Sequence, residues 1–180
     1  SDGSTSAAEA EVQGAVEALQ TGPYDAHVNK ILEPLLDNYV ENHALALPRS
    51  ALLNIIAAFE NRLEYNRSSA DHQNYAYARA RLELTDGNLP EACERFLVIQ
   101  QQSGRIDTDL GIFSLLASKG YYADARYFLT TARDKIALGA VAGLRFPPSW
   151  YRAEIERLER NLAKDETQLA GPQTAICGNR

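Results

Sequence analysis

The sequence predicts an all-α chain, an α-solenoid of antiparallel helical hairpins closed by a C-terminal capping helix, and three observations carry that expectation. The first is an internal echo. Leu82-Glu-Leu-Thr-Asp-Gly87-Asn-Leu-Pro-Glu-Ala92 is answered by Leu115-Leu-Ala-Ser-Lys-Gly120-Tyr-Tyr-Ala-Asp-Ala125, with Leu, Gly and Ala recurring about 33 residues apart and an acidic residue before each Ala; that is the period of helix-turn-helix repeats. The second is apolar spacing at the helical period along most of the chain. The third is the lack of any period-two run of β-branched residues long enough to build a sheet.

Taken in order, Ala7 to Gln20 carries Val12, Ala15, Val16 and Leu19 at helical spacing and stops at Thr21-Gly22-Pro23. Tyr24 to about Glu41 puts Val28, Ile31, Leu32, Leu35, Leu36 and Tyr39 on one side, with Pro34 set to kink it or begin a new helix. Pro48 opens the clearest amphipathic segment, a stripe of Leu52, Ile56, Phe59 and Leu63 flanked by Leu53 and Ile55. Asn66 to Ser69 reads as a turn, and a helix follows from about Asp71 to Thr85.

Gly87 and Gly120 stand where the first helix of each repeat must end, a position that favours left-handed backbone. Asn88-Leu-Pro-Glu91 offers a cap, an early Pro and a Glu three residues on, the pattern of a capping box for a helix to about Gln102. Asp107 or Thr108 starts the next helix, which ends near Lys119, and Tyr121 to Leu138 follows. Gly139 to Pro148 is an apolar, glycine-bounded loop. Ser149 then caps a last helix through about Lys164, striped by Ile155, Leu158 and Leu162, with Glu156 and Arg160 at pair-forming spacing on another side. Beyond Asp165 the chain is short of large apolar residues and contains Gly171-Pro172, so residues 165–180 read as a flexible tail.

With 180 residues and 45% hydrophobic content, one folded unit spanning residues 7–164 is expected. A net charge of −6 without a clustered basic face argues against nucleic acid, and favours a basic or neutral partner over an acidic one. No apolar run of transmembrane length and no signal-peptide pattern occurs, so no membrane insertion is expected of this chain. Residues 1–6, Ser-Asp-Gly-Ser-Thr-Ser, together with the lack of Met, read as a linker or excision scar on a fragment of a longer parent; an envelope protein stripped of a membrane anchor would fit.

Chemistry is thinly represented. His27, His43 and His72 are isolated from one another and from Cys, so no metal or other cofactor is expected. Cys93 lies on an apolar face with Leu89, Ala92, Phe96 and Leu97, and Cys177 in a polar tail; two buried or unpaired thiols, with no disulfide framework, is the expectation. No phosphate loop or nucleophile elbow is present. Asp71, Asp107, Asp109 and Asp124 fall at helix starts, where the helix dipole accounts for them without catalysis. No catalytic residues are assigned. Phe146 and Trp150, in Arg145-Phe-Pro-Pro-Ser-Trp150-Tyr151, either face a partner or staple the last helix to the preceding hairpin, and the staple is favoured.

Ala80, Gly87, Ala92 and Phe96, then Gly120, Ala125, Leu129 and Ala132, resemble the packing positions of tetratricopeptide repeats, over Gln73 to about Ala137. Phe113 where a small residue is usual, Glu83 where an apolar one is usual, and the short period mark a divergent, TPR-like member. The resemblance implies that the first helix of each pair lines a concave groove, presenting Asn74, Tyr77, Arg81 and Leu84, then Asp107, Leu110, Ser114 and Ala117. It implies a non-enzymatic adaptor that holds a peptide or protein in that groove, with Asn74, Tyr77 and Arg81 as the anchor cluster. The competing readings are packing roles for these tyrosines and arginines, and a spacer or homo-oligomerisation domain.

Overall fold

The computed structural model describes residues 14, 49–65, 69–140, 144–167 and 174–179, with side chains described outside 61–72. Six α-helices and one short 3-10 turn occur among these residues, and no strand: α1 Arg49–Tyr65, α2 Ser69–Thr85, α3 Leu89–Ser103, α4 Ile106–Ser118, α5 Tyr122–Ala137, α6 Pro148–Thr167 and the turn Cys177–Asn179. The all-α expectation therefore holds for the described chain. The two helices expected before Pro48 lie outside the described residues, Gly14 excepted, which is helical.

Three of the helix ends share one geometry. Gly87, Gly120 and Gly139 have φ of 82°, 80° and 79°, a left-handed region that costs glycine little. At each, the glycine N–H donates to a carbonyl three residues back and the next residue's N–H to one five back: Gly87 to Leu84 and Asn88 to Glu83, Gly120 to Ala117 and Tyr121 to Leu116, Gly139 to Ile136 and Ala140 to Lys135. That is the Schellman closure, which satisfies carbonyls left open by the end of the helix. The first two caps are the glycines of the sequence echo. The third recurs sooner, at the end of α5.

The chain divides into two compact units, residues 1–95 and 96–180, where the sequence suggested one. In the first, α1 packs against α2. Leu52, Ile55, Ile56, Ala58 and Phe59 of α1 and Tyr77, Ala78, Ala80, Leu82 and Leu84 of α2 are buried, the large ones contributing about 1.5–3 kcal/mol each on removal from water. Arg49 clamps the end of α2, its Nε 2.8 Å from Asp86 Oδ1 and its Nη2 3.2 Å from Oδ2. Glu83, the polar departure from the repeat pattern, accepts from Asn88 Nδ2 at 3.1 Å and lies 3.9 Å from both Arg79 and Arg95, so a carboxylate is satisfied there.

In the second unit α4 packs on α5, and α5 on both α6 and the 3-10 turn. Phe96 and Phe128 meet edge to face at 6.3 Å within a core that includes Ile99, Ile106, Ile112, Phe113, Leu116, Leu129, Ile136, Tyr151, Ile155 and Leu162. The chain after Asp165 departs from expectation. Helix α6 continues through Thr167, and residues 174–179 are structured, with Cys177 only 1% exposed.

Candidate functional site

Helix α2 was expected to offer Asn74, Tyr77, Arg81 and Leu84 to a partner. These positions fall close to one stripe of the helix, but Tyr77, Arg81 and Leu84 are 5%, 4% and 5% exposed and Asn74 is half-buried. Tyr77 and Arg81 are thus withdrawn from solvent in this conformation. In the second unit Asp107, Leu110, Ser114 and Ala117 are each half-buried. The Ser114 hydroxyl is spent locally, donating to the Leu110 carbonyl at 2.9 Å.

Asp107 does something other than line a groove. Its Oδ1 accepts the Tyr151 hydroxyl proton at 2.7 Å, and the same hydroxyl accepts the Arg145 backbone N–H at 3.2 Å. Tyr151 is wholly buried, and burial, reinforced by the bond to Asp107, raises its phenol above the ordinary range. The staple foreseen for Phe146 and Trp150 is therefore Tyr151. It ties the segment before α6 to the start of α4.

With that segment fixed from behind, Phe146 and Trp150 face outward. They are 48% and 42% exposed, stacked at 4.4 Å between ring centroids and 31° between planes, and Trp150 meets Tyr151 edge to face at 5.1 Å. Arg145 and Arg152, both exposed, flank the pair. From Leu138 to Ala153 the sequence contains these two arginines and no acidic residue, in a chain of net charge −6. The sequence signal for this site was present in that acid-free run. Whole-chain charge does not reveal this local run.

The helix-start aspartates divide their labour. Asp109 is fully buried; Gln100 Nε2 donates to its Oδ1 at 2.8 Å and Lys135 Nζ pairs with its Oδ2 at 2.7 Å. Burial raises its pKa, opposed by Lys135 and Gln100. Asp124, 2% exposed, accepts the backbone N–H groups of Ile176 and Cys177 on Oδ1, each at 2.6 Å. Dipole complementarity explains their helix-start location but not these partners.

The cysteines correct the sequence reading outright. Cys93 on α3 and Cys177 are both disulfide-bonded and neither is free. A thiolate nucleophile or thiolate metal ligand is thereby removed from both positions in this state. No helix among the described residues is long and apolar enough to cross a membrane. Searches with protein-family models, against curated proteins and against solved structures found no match to this chain.

Proposed function

We propose that this chain is a non-enzymatic protein-interaction module, a TPR-like stack of helical hairpins that captures a polypeptide partner as part of a larger assembly, and that Phe146 and Trp150 are its principal anchors. The observation that carries the reading is the exposed, stacked Phe146–Trp150 pair held by the buried Tyr151–Asp107 bond. Large aromatics and arginine dominate binding energy at protein interfaces. A surface already fixed in place loses little further entropy when it is covered.

Charge defines the partner. Arg145 and Arg152 flank the rings, and Glu154, two residues past Arg152, is paired with Arg157, so the patch suits a segment bearing Asp or Glu beside an apolar or Pro residue that can lie on the rings. Tyr77, Arg81 and Leu84 serve packing, Asp107 holds Tyr151, and the Ser114 hydroxyl is taken up by the Leu110 carbonyl.

The test is affinity capture from the native cell extract with the parent chain and with Phe146→Ala/Trp150→Ala. A protein with an acidic segment retained by the parent and lost by the double variant supports the reading. Retention by both, or recovery of the chain alone, refutes it, the latter in favour of self-association.

A further inference from the structure

We infer that the first turn of α4 is a two-point bracket for the connection between α5 and α6, and that Asp109 and Lys135 are positioning residues for the aromatic pair to which this connection leads. The inference rests on the reading of Phe146 and Trp150 as the contact surface. Two parallel chains of contact carry it, one at each end of the connection. On the α6 side the Arg145 backbone N–H donates to the Tyr151 hydroxyl, which in turn donates to Asp107. On the α5 side the Ala140 backbone N–H donates to the Lys135 carbonyl at 2.9 Å, and the Lys135 ammonium pairs with Asp109 at 2.7 Å. Asp107 and Asp109 both lie in the first turn of α4.

Each aspartate is itself held. Asp107 Oδ2 lies 3.4 Å from Arg105 Nη2, with Oδ1 on the Tyr151 hydroxyl. Asp109 is fully buried and its Oδ1 accepts the Gln100 amide at 2.8 Å. Its Oδ2 faces Lys135, and among the described residues neither that oxygen nor the ammonium has any other polar partner. A buried charge stripped of its counter-charge is costly, so the pair keeps the last turn of α5, where Lys135 sits, against α4. The two holds share one turn of backbone, and release at Asp109 therefore loosens the turn that receives Tyr151. Phe146 and Trp150 sit beside Arg145 and Tyr151 in the chain, and they keep their stacked placement only while that end is fixed. A bracketed pair has less freedom left to lose when a partner covers it.

Amide hydrogen exchange and near-ultraviolet circular dichroism of the intact chain test this without a partner, Trp150 being the only tryptophan. Asp109→Asn combined with Lys135→Met removes both charges together, while the asparagine oxygen can still accept from Gln100. In this variant the Arg145 amide is expected to exchange at least about tenfold faster, as in Tyr151→Phe, while Phe128 to Ala132 in α5 keep their protection. The indole signal weakens in parallel. Asp109→Asn alone moves both readouts the same way by a smaller factor, and it decides if the double variant loses its α5 protection. An unchanged Arg145 amide or an unchanged indole signal overturns the bracket and leaves the ion pair a core contact. So does loss of α5 protection in both variants, which would make the pair a support of the whole unit. Failed partner capture beside the expected readouts would sink the contact reading alone; unchanged readouts beside successful capture would sink the bracket alone.

Discussion

Tyr77 and Arg81 on α2 and the residues Arg145, Phe146 and Trp150 at the entry to α6 are similar side chains with opposite fates. The first pair is 5% and 4% exposed, the aromatics of the second 48% and 42%. On α2 the helical period carries Tyr77 and Arg81 round into the face that also buries Ala78, Ala80, Leu82 and Leu84. At the entry to α6, Pro148 opens the helix after a bend at Arg145 and Phe146, and Tyr151 turns inward, where Asp107 accepts its hydroxyl proton. An aromatic residue becomes a contact or a core residue according to which neighbour satisfies the inward position. Residue type by itself decides neither.

The sharpest way to break that contrast is to truncate on the buried side. Tyr77→Ala is expected to cost about 3 kcal/mol, lowering the melting temperature by about 10 °C for a chain of this size; a melting point within a degree or two of the parent would mean that Tyr77 is not core. Ala92, wholly buried on α3, tests packing from the other direction. Ala92→Leu overfills its site at about 1–3 kcal/mol, read as a lower urea midpoint with unchanged slope.

A smaller effect, and one that depends on pH, is expected from Asp109. Its folded-state pKa is raised, chiefly by burial, so the folded chain binds the proton more tightly than the unfolded one. The stability this provides is present below the ordinary carboxylate value of 3.8 and is lost as pH rises through the folded value. Urea midpoints from pH 3.5 upward should therefore show a declining contribution in the parent that Asp109→Asn lacks; parallel profiles would contradict the shift. The smallest stability change belongs to the exposed side of the contrast. Phe146→Ala and Trp150→Ala should each stay within about 0.5–1 kcal/mol of the parent, a limit checked by the same urea titration.

Much of the fold was legible because its signals are local. Gly87 and Gly120 announced helix ends, and the Leu52, Ile56 and Phe59 stripe announced α1. The matching third cap at Gly139 went unread as a cap, because it follows α5 without an echo of the flanking pattern. What escaped the sequence was long-range. Nothing around Cys93 or Cys177 shows that either is oxidised, and nothing around Asp124 shows that its carboxylate receives Ile176 and Cys177, which lie more than fifty residues away. The site escaped for a related reason: the Tyr151 hydroxyl bonds Asp107 across 44 positions of sequence, and that bond frees Phe146 and Trp150 to face solvent.

Trp150 is the only tryptophan in the chain, so its fluorescence reports on the proposed contact without a label. The decisive measurement is acrylamide quenching of that emission, in the isolated chain and with the captured partner at saturation. The account predicts ready quenching alone and a several-fold smaller quenching constant in the complex. Quenching that the partner leaves unchanged, or an indole already shielded in the isolated chain, would contradict it.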